Sequence, residues 1–145
     1  MKTFKFKIPI YGIDVVLIQT EKEDTYPSLK RALGFCKVQE NEIKDIYDEI
    51  NRGCTGGGYT YRNFDIRKML CIFHPFENES QREEVYAHEK RHIEDRIMKW
   101  ASVDDIESAG LLAGFLGTKF YEFKKKQLIR NETTSTIQGT STKKG

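Results

Sequence analysis

At 145 residues and 16.9 kDa the chain has room for one domain and one core. Its 24 basic and 22 acidic side chains leave a formal charge of +2. That is no field with which to hold a nucleic-acid backbone or an anionic membrane, and neither is expected as a partner. Cys36, Cys54 and Cys71 are odd in number, widely spaced and free of any Cys-x-x-Cys pair. This argues against a disulfide framework and a cysteine-built zinc site, and suits a reducing cytoplasm. Residues 1–10 alternate lysine with apolar side chains where a secretory signal has a continuous apolar core, and no run reaches membrane-spanning length, so a cytoplasmic location is expected.

Phe4, Phe6, Ile8 and Ile10 alternate with Lys5, Lys7 and Pro9, and a β-branched run from Ile13 to Ile18 follows Tyr11-Gly12, which predicts a hairpin. Between Asn41 and Ile50 the apolar positions Ile43, Ile46, Tyr47 and Ile50 have helical spacing, with Gly53 where a C-terminal cap belongs. That helix can cover the apolar face of the hairpin. Gly56-Gly57-Gly58 lacks the lysine-serine pair of a phosphate loop and the spacing of a dinucleotide fingerprint, so it reads as a turn entering a strand at Tyr59-Thr60-Tyr61. Met69 to Phe73, closed by His74-Pro75, predicts another short strand, and the proline suits a strand end or an edge.

Two helices are expected next. The first runs from about Ser80 to about Lys99, with Ser80 and Glu83 matching a capping box. The second opens near Ser102–Asp105, runs to about Lys126, and carries Gly110, Gly114 and Gly117, small enough to admit a close neighbour. Residues 1–130 form the expected domain, and 131–145, rich in Thr and Ser, the expected flexible tail. Lys124-Lys125-Lys126 reads as a solvated helix end.

The chemistry is concentrated in His88-Glu89-Lys90-Arg91-His92. Residues four apart stack on one helix face, so two imidazoles converge on one ion while Glu89 lies about 100° round the barrel. Neutral imidazole suits zinc, which brings a water's pKa to about 7, and the carboxylate is placed as general base. At about 100° per residue, Tyr86, Ile93, Ile97 and Trp100 make the buried stripe with Val85 at its flank. His88 and His92 fall at the border, and Glu89 lands inside the apolar arc. A merely structural helix has no reason to bury an unpaired carboxylate there. The bland alternative is a charged surface helix whose two histidines do nothing.

A catalytic zinc takes a third protein ligand, for which the downstream candidates are Asp104, Asp105 and Glu107. Glu107 is selected because it begins a face shared with Leu111, Gly114 and Thr118, where Gly110 and Gly114 would let the two helices approach.

Tyr86-Ala87-His88-Glu89-x-x-His92, followed by Ile106-Glu107-Ser108-Ala109-Gly110-Leu111-Leu112-Ala113-Gly114-Phe115, resembles small zincin-like proteins of phages and their bacterial hosts. The Pro9-Ile10-Tyr11-Gly12 turn is similar to theirs as well. The resemblance covers the two helices, about a third of the chain. It implies a gluzincin-type zinc metallopeptidase with His88, His92 and Glu107 as ligands, Glu89 as base and a polypeptide as substrate, acting in the host cytoplasm if phage-encoded. The spacing of His92 and Glu107 is shorter than gluzincins usually show, and Lys90 and Arg91 replace small or apolar residues.

The fold these readings imply is α+β: a small, mostly antiparallel sheet on the metal-bearing helix, with the Glu107 helix antiparallel beside it. His74, Tyr59, Tyr61 and Tyr121 are the side chains able to donate to an oxyanion, and spacing selects none of them. Met69 to Phe73, if an edge strand, could align a peptide by strand addition. The rival expectation is a zincin scaffold without turnover, serving as a binding, phage structural or host-interaction protein. The presence of Glu89 favours the enzyme.

Overall fold

The computed structural model describes the backbone of residues 1–143 and the side chains of residues 1–128. In chain order the elements are β1 (Lys2–Ile8), β2 (Ile13–Gln19), α1 (Tyr26–Leu33), a 3-10 turn (Gly34–Cys36) and α2 (Glu40–Asn51). They continue with β3 (Gly58–Asn63), β4 (Lys68–Phe73), α3 (Glu79–Trp100) and α4 (Ile106–Lys143). The fold is α+β. The expected tail, 131–145, lies outside the residues whose side chains are described.

The strands form one sheet in the order β1-β2-β4-β3. The β1–β2 and β3–β4 pairs are antiparallel as expected, but the central pair, β2 with β4, is parallel, so the sheet is mixed. β2 and β4 are buried along nearly their whole length, which suits the unbroken apolar runs that central strands with two covered faces require. Met69 to Phe73 is therefore an interior strand rather than an edge. β3 is the edge on that side.

Helices cover both faces because successive side chains of a strand point oppositely. Val15 and Leu17 of β2 and Met69, Cys71 and Phe73 of β4 pack with Tyr86, Ile93 and Ile97 of α3 and with Leu112, Leu116, Phe120 and Phe123 of α4. On the other face Val16, Ile18, Leu70 and Ile72 meet Leu29 and Leu33 of α1 and Ile43, Ile46 and Ile50 of α2. The helix read at 41–50 is thus a cover for the hairpin. α1, absent from the sequence reading, completes the crossover between the parallel strands. It is short, starts with Thr25 Oγ1 accepting from the Ser28 amide at 3.3 Å, and buries Leu29 and Leu33 one turn apart.

α3 is capped by Asn78, two residues before the expected Ser80. Asn78 Oδ1 accepts the Gln81 amide at 2.8 Å, and Gln81 Oε1 accepts the Glu77 amide at 2.8 Å, a reciprocal cap that satisfies donors the helix cannot. At its other end Ser102 stands at φ 54°, with its amide bonded to Lys99 O and that of Val103 to Met98 O. Ser102 thus ends α3 and does not open α4. Asp105 opens α4 by accepting the Ser108 amide at 2.9 Å and the Ser108 hydroxyl at 2.6 Å, and these bonds hold its carboxyl below the usual range. Trp100, expected in the buried stripe, is 39% exposed and stacks on Phe64 with ring centroids 4.9 Å apart.

α4 returns antiparallel to α3, as Gln127 bonded to the Tyr86 hydroxyl and Lys124 paired with Glu79 and Glu83 show. Gly110, Gly114 and Gly117 do not mediate that contact: a Cβ on any of them would meet no described atom within 4 Å. Leucine and phenylalanine carry it. No helix of the described residues is long and apolar enough to cross a membrane.

Leu116 is fully buried where α4 meets the sheet and α3. Leu116→Ala should cost about 2–5 kcal/mol, read in urea as a lower midpoint with an unchanged slope.

Candidate metal centre

His88 and His92 stand one turn apart on α3, their Nε2 atoms 2.9 Å from each other and their rings almost perpendicular, at 88°. Two neutral imidazoles at that distance share a single hydrogen, one donating and the other accepting. His88 is exposed, His92 half-buried, and Glu89 only 4% exposed. Donor atoms of all three lie within 4.8 Å of one another, the one such group among the described residues. The arc calculation from sequence therefore describes this helix: imidazoles at the border, carboxylate inside.

β3 is what Glu89 is buried against. Gly58 and Thr60 point toward α3, while Tyr59 and Tyr61 point to the opposite face. A Cβ on Gly58 would lie 2.9 Å from Glu89 Cγ and 3.0 Å from Val85 Cγ1, so the strand comes this near because residue 58 has no side chain. Thr60 Oγ1 donates to Glu89 Oε2, and Arg96, two turns along α3 from Glu89, donates through Nη1 to the Thr60 carbonyl. Cys71 of β4, directly across from Thr60, brings its Sγ to 3.1 Å from the Thr60 hydroxyl. Burial pushes the Cys71 thiol up, so it stays protonated.

Glu107 is not brought to this group. It is exposed in the first turn of α4, and the face it shares with Leu111, Gly114 and Thr118 is exposed throughout. The groove between α3 and α4 is lined by Glu83, Ala87 and Lys90 of α3, and Lys90 stands about 200° round the helix from each histidine. α4 thus docks on the flank turned away from the imidazoles. α3 also runs on to Trp100, two turns past His92, where a shorter helix would have turned back sooner.

The four candidate oxyanion donors are engaged elsewhere or face away. The Tyr59 hydroxyl donates to Glu49 of α2, at 2.9 and 2.7 Å from its two oxygens, and burial with that bond pushes the phenol up. His74 Nε2 lies 2.7 Å from the same carboxylate, in a ring that is 2% exposed. Tyr61 packs in the second core, and Tyr121 is exposed beside Lys90. Glu49, which no sequence motif singled out, thereby ties the far face of β3 to α2 and the end of β4.

The chain matches no protein-family model, no curated protein and no solved structure.

Thr60, Gly58 and Arg96 are site residues that the sequence reading missed. The glycine run is the one signal of them in the sequence, where it reads as a turn entering a strand. Gly58→Ala should cost about 1–3 kcal/mol by overpacking against Glu89. Gly57→Ala, whose Cβ would meet His74 at 3.4 Å, should change stability by under about 1 kcal/mol, with both measured by urea unfolding.

Proposed function

We propose that this chain is a zincin-like, zinc-dependent metallopeptidase in which His88 and His92 hold the ion and Glu89 is the general base. The observation that carries the reading is Glu89 itself: a carboxylate 4% exposed in an otherwise apolar arc, with one of its oxygens within 4.8 Å of a nitrogen of each imidazole. Burying a charge is costly unless it is used.

The residues fit the ion. Nitrogens bound to one zinc at about 2.0–2.1 Å can stand no more than about 4 Å apart, and the observed 2.9 Å lies inside that limit. An ion accepting a lone pair from each would satisfy two nitrogens that stand 2.9 Å apart. Imidazoles with a carboxylate suit zinc better than magnesium or calcium, which prefer all-oxygen sets. When bound, zinc supplies Lewis acidity that brings a water's pKa to about 7. Glu89 receives the proton given up by the attacking water and returns it to the leaving amine. Glu107 stands outside the observed set, so its part as third ligand is put to the same test.

A polypeptide is the substrate class this reading favours, because the edge of the sheet beside α3 is β3, and an extended peptide can pair along part of such an edge. All three cysteines are free, which suits the cytoplasm as its place of action.

The purified protein should retain close to one zinc per chain by elemental analysis, and His88→Ala or His92→Ala should lower retention below about a tenth. Glu107→Ala should retain it; loss would show that α4 moves to supply the third ligand. Glu89→Gln should keep zinc and fold yet lose a factor of about 10² to 10⁴ in peptide hydrolysis. Equal activity in Glu89→Gln would overturn the mechanism, and a zinc-loaded wild type inert toward a broad peptide library would favour a non-catalytic scaffold.

A further inference from the structure

The hydrogen bonding around Glu89 has a direction. In the Thr60–Glu89 contact the hydroxyl of Thr60 donates its one hydrogen to Oε2. The Thr60 oxygen is then left with lone pairs alone, and the Cys71 thiol 3.1 Å away must be the donor to it. Cys71 is fully buried and reaches Thr60 because the two are cross-strand partners pointing to the same face. Arg96 holds the Thr60 backbone carbonyl from the same helix that carries Glu89. Thr60 is therefore fixed at its oxygen, at its backbone and, as a β-branched residue in a strand, at χ1.

We propose that Thr60 is a positioning residue for Glu89: a chain from the Cys71 thiol through the Thr60 hydroxyl holds one carboxylate oxygen and leaves the other to take up the proton. The inference rests on the reading of Glu89 as the base. It adds that the edge strand, and not the motif helix alone, sets the carboxylate's rotation about its last torsion. That torsion is otherwise broad for a glutamate, and the hydroxyl bond narrows it. No proton passes along the chain; its members hold theirs.

The test compares Thr60→Val, which keeps the shape and removes the hydroxyl, with Thr60→Ser, which keeps the hydroxyl. In the zinc-loaded enzyme Thr60→Val should lower kcat by about 10- to 100-fold, with KM and zinc content nearly unchanged, and Thr60→Ser should restore kcat to within about threefold. A second readout needs neither metal nor turnover. In the zinc-free protein Thr60→Val should lower the thermal midpoint when Glu89 is present and lower it clearly less in a Glu89→Met background, where only the Cys71 contact remains to be lost. An unchanged kcat in Thr60→Val, a Thr60→Ser variant as slow as Thr60→Val, or equal midpoint losses in both backgrounds would overturn the proposal. If the wild type cleaves no peptide, the metallopeptidase reading fails on that count alone. The melting comparison then decides the Thr60–Glu89 coupling by itself, non-additive losses supporting it and additive ones ending it.

Discussion

A carboxylate buried between a helix and a sheet edge is the constraint around which this molecule is arranged. Glu89 sits on the core-facing side of α3, where leucine or alanine would cost nothing, and the chain meets its demands with neighbours of fixed kind. Gly58 makes room, Thr60 donates, and Arg96 ties the strand that carries both back to the helix. A buried charge with one partner removed costs far more than the partner's hydrogen bond alone, so these residues act as a unit. Their arrangement leaves the two imidazoles at the rim, His88 exposed and His92 half-buried.

The rest of the fold keeps β3 in place. As an edge strand it has a partner on one side only, β4, so its position depends on what grips its two faces. On one face α3 holds Gly58 and Thr60. On the other, Glu49 of α2 takes the Tyr59 hydroxyl and the buried His74 ring, linking strand, helix and the end of β4 in one polar cluster. The two clusters occupy alternate residues of one strand, so movement of β3 toward either helix would disturb both.

Much of this was legible because it is written in periodicity. The hairpin, α2, β3 and the two long helices follow from alternation and from 3.6-residue spacing, and the same arithmetic put Glu89 in the apolar arc and the histidines at its border. The failures share a cause: they depend on where elements dock. An apolar run such as Met69–Phe73 says that a strand is buried but not which strands flank it, and the parallel pairing with β2 relies on α1, two turns long and too short to stand out. Trp100 keeps the stripe's spacing but falls where Phe64 can stack on it and solvent can reach it. Glu107 follows from the face it shares with Leu111, Gly114 and Thr118, whereas the flank on which α4 docks is set by Leu112, Leu116, Phe120 and Phe123, which turn the Glu107 face outward. Thr60 and Gly58 carry no motif, and only the close approach of β3 to α3 gives them a role.

The central claim is that Glu89 is retained for chemistry and not for the fold. The unfolding free energy of the zinc-free Glu89→Met variant, beside that of the wild type, tests it most directly. Methionine fills a similar volume without a charge, and replacing buried ionic groups by well-packed apolar ones is often neutral or stabilising. The account predicts a variant that unfolds at the same or a higher urea concentration than wild type and, once loaded with zinc, hydrolyses no peptide. A loss of about 3 kcal/mol or more would contradict it, because that is the mark of a carboxylate the fold itself requires.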